Sequence, residues 1–278
     1  MTREVMASMT SWRHKVRMTI AAAPSASTPF GLRLREWRRS RRLTQEALAA
    51  DARTSPRHLS CMEGGKAMPS EVMVLRLSEA LAVPLRERNA LLAAAGFAPR
   101  YAAHRGEPIP AALEPIVQQL IEAQPHPAYA LDAGFDVVAA NAAATALMRL
   151  FVPDGTMNVA RFLTLPHLRD VVVNWDETVR TFLARLRNDC AAQGPRSPLT
   201  ALLDELERDP HVAAALRRSP PPPVEPVQTL VLRTPAGETR WLTLLMSFGA
   251  PQDAMVEQLV IEQLLPADDA TRAFVASL

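Results

Sequence analysis

Residues 43–69 constrain the fold of this chain most, because they carry the signals for two short helices joined by a tight turn. Thr44 is a suitable N-cap, since its hydroxyl can accept a hydrogen bond from a free backbone N–H, and it predicts a helix that begins at Gln45. Ser55-Pro56 is a second start signal, because proline fits the first turn of a helix. The pair Gly64-Gly65 predicts the end of this second helix.

The second helix presents polar side chains opposite its inward-facing pair, Leu59 and Met62. In a helix-turn-helix, the N-terminal end of this helix enters the major groove of DNA. Arg57 is the predicted base reader, because a guanidinium can bond to both O6 and N7 of guanine, which gives about 1–3 kcal/mol of discrimination. Gln45 is predicted to contact a phosphate, because the N-terminus of a helix favours an anion.

The segments on either side complete a five-helix unit. Apolar residues at helical spacing predict three further helices, which are Gly31 to Arg42, Ser70 to Ala82 and Pro84 to Ala95. Two short helices with arginines are also compatible with a solvated part of an all-α domain that has no contact with DNA. The flanking helices favour the DNA-binding interpretation, because each is too short to bury its apolar face alone.

These residues resemble a known family. Three segments are similar to the helix-turn-helix domain of XRE-family bacterial regulators. They are LREWRRSRRLTQEALA, SPRHLSCMEGGKAMPS and VLRLSEALAVPLRERNALLAAAGFAP. The resemblance implies that Gln45 binds phosphate, that Ser55, Pro56 and Arg57 contact bases, and that Lys66 contacts the DNA backbone. The complete predicted DNA-binding set is Arg42, Gln45, Thr54, Ser55, Pro56, Arg57, Ser60, Cys61 and Lys66.

Two positions depart from the family pattern. Arg53 stands where the turn usually carries glycine, and a residue with a side chain is strained at positive φ. Cys61 stands at a groove-facing position that often holds a larger side chain. The turn around Arg53 is therefore expected to carry strain.

The distribution of charge supports DNA binding by the N-terminal part. Residues 30–100 contain 13 Lys and Arg against 7 Asp and Glu, whereas residues 101–278 contain 14 against 21. Such asymmetry is expected when one domain meets phosphate and the other does not. The run Arg38, Arg39, Arg41 and Arg42 has two open interpretations, a phosphate-binding patch or a solvated helix end.

Length and composition predict two domains, because 278 residues exceed a single small core and 48% hydrophobic residues suffice for burial. We predict a disordered leader at 1–29, a helix-turn-helix domain at 30–100, a linker at 101–114 and a ligand-binding domain at 115–278. No apolar run approaches a membrane span, and Cys61 and Cys190 lack partners at metal-ligand spacing. A reduced, cytoplasmic protein without metal or membrane contact is expected.

The strand and helix signals of the C-terminal part predict an α+β domain with an antiparallel sheet. Residues 127–141 predict two strands around a turn at Asp132-Ala133-Gly134, followed by a helix from Ala142 to Leu150. Further predicted helices are Leu168 to Ala192 and Pro198 to Glu207, and further predicted strands are Val227 to Thr234, Thr239 to Phe248 and Val256 to Leu265. The order of two strands, helices and three strands resembles a PAS-like domain.

A second family resemblance covers this part. Three segments are similar to the MmyB-like ligand-binding domain that follows this type of helix-turn-helix in many regulators. They are LRDVVVNWDETVRTFLARLR, LLDELERDPHV and TLLMSFGAPQDAMVEQLVIEQLLPADDAT. The resemblance implies a sensor with a hydrophobic cavity for a fatty-acid-like or other apolar small molecule.

Apolar and aromatic residues of the sheet and its covering helices are the candidate cavity walls. They are Leu147, Phe151, Phe162, Leu163, Trp175, Val179, Phe182, Leu186, Trp241, Leu244, Met246 and Phe248. The alternative is that each belongs to an ordinary core. Four polar residues, Asn141, Arg169, Asn174 and Arg180, are candidates to orient a carboxylate, or alternatively are caps and surface residues.

Two other classes of function stay open at this point. The six histidines are scattered, and no HExxH, GxSxG, Walker loop or glycine fingerprint is present, so we predict neither catalysis nor a cofactor. The second domain is also compatible with a protein-interaction module. Because operators of helix-turn-helix proteins usually have two-fold symmetry, we expect a homodimer on double-stranded DNA.

Overall fold

A computed structural model describes residues 28–102, 109–152, 157–218 and 227–278. The predicted leader therefore lies outside the described residues except at its end, and so does the centre of the predicted linker. The described residues form a helical N-terminal domain and a mixed second domain.

The N-terminal domain contains the five predicted helices. Each of the first four is preceded by a Thr or Ser whose hydroxyl accepts a backbone N–H, as in the 3.1 Å bond from Ala47 N to Thr44 Oγ1. These caps satisfy donors that helix geometry leaves unpaired, which explains why the helices begin there. The helices are α1 (Pro29–Ser40), α2 (Gln45–Asp51), α3 (Pro56–Glu63), α4 (Glu71–Ala80) and α5 (Leu85–Ala94).

Helix α1 crosses α3 at very close range. A Cβ on Gly31 would lie 2.6 Å from the carbonyl oxygen of Met62, so only glycine permits this contact. Leu34, Leu48 and Leu59 are fully buried beneath the crossing. The core thus fixes the position of α3 relative to the rest of the domain.

The second domain is built on a five-stranded antiparallel sheet, which confirms the predicted fold class. The strand order is β2-β1-β5-β4-β3, and the hairpin of β3 and β4 turns at Pro235-Ala236. The strands are β1 (Ala128–Leu131), β2 (Val137–Ala140), β3 (Thr229–Thr234), β4 (Gly237–Ser247) and β5 (Val260–Pro266).

Helices cover the two sheet faces unequally. One face is covered by α7 (Ala142–Arg149), α8 (Val159–Phe162), α9 (Trp175–Gln193) and α12 (Asp269–Val275). Helices α10 (Leu199–Arg208) and α11 (Pro210–Arg217) pack against α9. The other face carries α6 (Glu114–Glu122), whose Val117 and Ile121 pack on Ala130 and Ile261. Among the described residues, no helix combines the length and hydropathy that crossing a membrane requires.

The long helix α9 begins later than the sequence predicts. It starts at Trp175 rather than at Leu168, because residues 171–173 pair with β3 through the bond from Val173 N to Val231 O (2.9 Å). Three consecutive valines favour this extended conformation, since branching at Cβ restricts the side chain in a helix. Helices α6, α8, α11 and α12 are additional to those predicted.

Candidate DNA-binding surface and ligand cavity

Helix α3 presents its predicted contact residues to solvent. Ser55, Pro56, Arg57 and Ser60 are exposed, whereas Leu59 and Met62 are fully buried on the opposite side. Of the remaining predicted residues, Thr54, Cys61 and Gln45 are half-buried, and Arg42 and Lys66 are exposed. The whole set is therefore solvent-accessible at least in part, and it surrounds α2 and α3.

The turn between α2 and α3 contains the strain that the sequence predicts. Arg53 has φ of 53°, in the left-handed region that favours glycine. Arg42, in the turn before α2, has φ of 56°. Both turns are held by backbone bonds, including that from Thr54 N to Ala49 O (2.8 Å). The helix-turn-helix geometry is therefore kept even though neither turn has a glycine at these positions.

A buried carboxylate joins α1, α2 and α3. Glu63 is fully buried and accepts from Arg38 Nε at 2.6 Å, from Arg38 Nη2 at 3.0 Å and from Gln45 Nε2 at 2.8 Å. Arg35 Nη2 donates to the Glu63 carbonyl oxygen at 3.1 Å. Burial raises the pKa of Glu63, but the bonds from Arg38 and Gln45 outweigh it and hold that pKa below its ordinary value.

This cluster has a consequence for Gln45. An amide NH₂ group has two hydrogens, and Gln45 uses one of them on Glu63. The other is available for the phosphate contact that the sequence predicts. Glu63 therefore fixes the orientation of the predicted phosphate contact, which sequence reasoning did not identify.

The four arginines at the end of α1 and in the following turn fall into two groups, two that bind other parts of the protein and two that are exposed. Arg38 binds Glu63, and Arg41 reaches into the second domain. Arg39 and Arg42 are exposed. Only these two can therefore add positive charge to a solvent-facing patch without breaking a contact described in the structure.

The second domain forms a partly open cavity of about 330 Å³ between its sheet and helices α7 to α9. Its walls are mainly apolar side chains from both layers. They include Tyr129, Ala144, Leu147, Met148, Phe151, Met157, Val159, Phe162, Leu163, Phe182, Leu230, Leu232, Leu245 and Leu264. A cavity with this lining lies at the lower end of the size range of small-molecule sites, about 300–1,000 Å³.

The predicted cavity walls divide into three groups. Leu147, Phe151, Phe162, Leu163 and Phe182 line the cavity. Four others are buried in the core beside it and do not line it; they are Trp175, Val179, Leu186 and Trp241. Trp175 instead donates to the Leu163 carbonyl oxygen at 3.0 Å.

The third group, Leu244, Met246 and Phe248, does not line the cavity either. Side chains alternate along a strand, so Thr243 and Leu245 face the cavity while Leu244 and Met246 face away. Leu244 is 46% exposed, and Phe248 packs with the α6 side of the sheet.

The cavity has a polar end that sequence reasoning missed. The Tyr129 hydroxyl donates to Glu262 Oε1 at 2.7 Å, and Arg185 Nη1 lies 3.6 Å from Glu262 Oε2. Burial raises the pKa of both Tyr129 and Glu262. The available signal was one acidic residue within the otherwise uncharged strand VIEQLLP, because a buried carboxylate needs a partner.

The four residues proposed to orient a carboxylate do not line the cavity. Asn141 caps α7, where it accepts from Ala144 N at 2.8 Å. Asn174 Nδ2 donates to the Thr229 carbonyl oxygen at 2.7 Å. Arg180 Nε donates to the Ala215 carbonyl oxygen at 3.3 Å, and Arg169 is the C-cap of a 3₁₀ turn.

Helix α9 connects the cavity to the N-terminal domain. Thr178, Phe182 and Arg185 line the cavity, and one end of the same helix accepts hydrogen bonds from Arg41. Arg41 Nη1 donates to the Ala191 carbonyl oxygen at 2.7 Å, and Nη2 donates to that of Ala192 at 2.8 Å. A cation is stabilised at this C-terminal end of a helix.

Three further contacts join the domains. A Cβ on Gly194 would lie 2.0 Å from Trp37 Cη2, so the chain after α9 touches the indole directly. Arg196 forms an ion pair with Glu36 at 3.0 Å. Glu257 Oε2 accepts from Leu85 N at 2.7 Å.

A cleft of about 600 Å³ lies between the domains and shares a wall with the cavity. Arg185 and Leu245 border both spaces. Val83 and Arg88 of the N-terminal domain face this cleft, as does Glu257. A change in the position of Arg185 would therefore alter the lining of both the cavity and the cleft.

Comparison with known proteins identifies both parts of the chain. Residues 113–278 match the MmyB-like transcription regulator ligand binding domain. The chain belongs to this family. Residues 29–91 of this MmyB-like regulator match a helix-turn-helix domain. The chain is thus a DNA-binding helix-turn-helix transcription regulator with a ligand-binding domain, and both matched families are regulatory.

The MmyB-like regulator is 36% identical to the restriction-modification controller protein C.AhdI from Aeromonas hydrophila, known from a crystal structure, over 22% of this chain and 92% of that chain, with a TM-score of 0.21. No curated protein matches the chain.

Proposed function

We propose that α3 reads an operator sequence in the major groove, with Arg57 as base reader and Gln45 as phosphate contact. The observation that carries this is the exposure of Ser55, Arg57 and Ser60 on a helix whose other side is fixed in the core. The proposed base-facing surface also includes Thr54, Pro56, Ser60 and Cys61. Positive charge on either side of it comes from Arg42 and Lys66. The regulator would act on DNA in the cytoplasm.

The functional unit on DNA is a homodimer in this proposal. Two copies of α3 would meet half-sites about 34–36 Å apart, or a multiple of that distance, because both must enter the major groove on one side of the duplex. Selection from random duplexes tests this by recovering inverted half-sites. Recovery of no enriched sequence at either low or physiological salt would overturn the proposal.

Arg57→Ala and Gln45→Ala are expected to affect DNA binding differently. Loss of the guanidinium removes discrimination at one base pair and costs about 1–3 kcal/mol on the preferred operator. Loss of the Gln45 amide weakens binding to all sequences by a similar factor, because a phosphate contact is independent of sequence. Fluorescence anisotropy on the operator and on a scrambled duplex measures both.

Arg217→Ala is the matched control, because it removes an exposed arginine from α11 in the other domain. It should leave both affinities unchanged. If Arg57→Ala bound the operator like the parent protein, α3 would not be the reading helix.

We further propose that the 330 Å³ cavity binds an apolar small-molecule effector. Its lining combines aromatic and flexible side chains with few polar groups, as apolar ligand sites do. Leu147, Phe151, Phe162 and Phe182 are the proposed contacts. An acyl or alkyl chain fits this lining, because its affinity comes from buried CH₂ groups at about 0.8 kcal/mol each.

Leu147→Trp is expected to abolish effector binding, because the indole ring is larger than the leucine side chain and fills part of the cavity. Native mass spectrometry of the purified protein should show an apolar adduct on the parent and none on this variant. Leu150→Trp is the matched control, because Leu150 follows α7 and is 44% exposed. Equal adducts on the parent and on Leu147→Trp would place the ligand elsewhere.

Effector and DNA are coupled through α9 in this proposal. A ligand that touches Thr178, Phe182 and Arg185 changes the free energy of arrangements of α9, and the end of α9 binds Arg41 of the DNA-binding domain. A ligand shifts such an equilibrium only by its difference in affinity for the two states. The two α3 helices of the dimer would then be held at different spacings with and without ligand.

A further inference from the structure

The polar end of the cavity restricts the head group that an effector can carry. Of the described residues that line the cavity, only Arg185 and Glu262 are charged, and they lie together. Glu262 is 6% exposed, so water does not screen it well. Any ionised head group placed at this end meets a like charge within the same pair.

Arg185 is already shared between two carboxylates. Its Nε lies 3.7 Å from Asp189 Oδ2, and its Nη1 lies 3.6 Å from Glu262 Oε2. The guanidinium also lies over the Phe135 ring, 5.7 Å from its centroid. The cluster of one arginine and two acids therefore has an excess of negative charge whenever both acids are ionised, which opposes an added anion.

Glu262 is not neutralised by its other partner. Tyr129 donates its single hydroxyl hydrogen to Oε1, and Arg185 Nη1 lies 3.6 Å from Oε2, which as a carboxylate oxygen has more than one acceptor site. Oε2 can thus accept from a ligand. A hydroxyl suits both neighbours, because it donates to a carboxylate oxygen and accepts from a guanidinium.

Resting on the proposed effector function, we infer that the cavity selects an apolar chain with an uncharged hydroxyl head group and rejects a free carboxylate, with Glu262 as the specificity-determining residue. This departs from the fatty-acid-like ligand that the family resemblance implies. A carboxylate would bind only after losing its hydration beside Glu262, and a buried like charge is disfavoured.

Calorimetric titration of the full chain with 1-decanol, decanoate and decylamine at pH 8 tests this at constant chain length. We expect 1-decanol to bind, and decanoate to bind more weakly by about tenfold or more, because the carboxylate adds a like charge beside Glu262. Decylamine should bind more tightly than decanoate, because the excess negative charge of the cluster attracts a cation. Decanoate binding as tightly as 1-decanol would overturn the inference and leave the apolar effector site intact.

Glu262→Gln separates charge from shape. Its amide oxygen can still accept from the Tyr129 hydroxyl, but its NH₂ group cannot accept from the 1-decanol hydroxyl as Oε2 does. We therefore expect the ratio of decanoate affinity to 1-decanol affinity to rise about tenfold, because the like charge and the acceptor are removed together. No relative gain for decanoate would contradict the role of Glu262. The comparison of three ligands on the parent protein needs no variant, so the inference stays testable if Glu262→Gln does not fold. Binding of none of the three would overturn both this inference and the proposed effector function.

Discussion

Glu63→Gln is expected to destabilise the DNA-binding domain by about 3–5 kcal/mol, the effect of breaking a buried ion pair by removing one partner. The substitution leaves the Arg38 guanidinium, which has 13% side-chain exposure, without its carboxylate. It also releases the Gln45 amide, which Glu63 holds at 2.8 Å. The measurements are hydrogen exchange of the amides in α1 to α3 and operator affinity at pH 7.

The choice of pH follows from the direction of the shift. The pKa of Glu63 is lowered in the folded protein from its ordinary value of 4.5. The stabilisation is therefore complete above that value and is lost as the pH falls through the folded-state pKa. At pH 7 the parent protein has the full contribution, and the variant has none of it.

Glu46→Gln is the matched control for this experiment. Glu46 is exposed in the first turn of α2, so its charge is well hydrated. Its replacement should change stability by less than about 1 kcal/mol, the scale of a helix-dipole interaction. If Glu63→Gln behaved like this control, the network around Arg38 would not hold the helix-turn-helix together.

Gly194→Ala is expected to separate effector binding from DNA binding. A methyl group there would lie 2.0 Å from Trp37 Cη2, and Trp37 is 3% exposed in the core, so the indole has little room to move. The φ of Gly194 is 93°, a conformation that costs other residues about 1–3 kcal/mol. The chain after α9 must therefore withdraw from the DNA-binding domain.

The measured quantity is the ratio of operator affinities with and without saturating 1-decanol. In the variant this ratio should fall close to one, while calorimetric affinity for 1-decanol stays near that of the parent. Gly249→Ala is the control, because a Cβ at Gly249 meets no atom within 4 Å. A variant at position 194 that kept the parent ratio would show that the α9 contact does not transmit the signal.

The helix-turn-helix was predictable because its signals are local. Thr44 and Ser55-Pro56 fix two helix starts through hydrogen bonds within three residues, and the apolar spacing of Leu59 and Met62 fixes the buried side. The partner of Gln45 was not predictable. Glu63 lies 18 positions away along the chain and meets Gln45 only after three helices have packed.

The second domain was predictable in its strands but less so in its helices. The predicted linker ends at residue 114, but α6 already begins at Glu114, and Pro115 lies in its first turn, where a missing N–H costs nothing. The start of α9 depends on pairing between residues 171–173 and β3, which are far apart in the sequence. Propensity alone does not determine such tertiary contacts.

The cavity lining was only partly predictable because both faces of β4 carry apolar residues. Alternation shows that Leu244 and Leu245 face opposite ways, but it does not show which face meets α9. The covering helices determine which residues of that face line the cavity. Leu245 faces the cavity, whereas Trp241 packs edge to face against Phe274 of α12. Polar lining groups such as Arg185 depend on the same packing.

The most direct test of coupling between cavity and DNA is the operator affinity of the unmodified chain, measured with and without 1-decanol at a concentration that calorimetry shows to be saturating. The proposed coupling predicts a change of about 5–150-fold, the range of coupling free energies of 1–3 kcal/mol. Equal affinities with the cavity filled would contradict it.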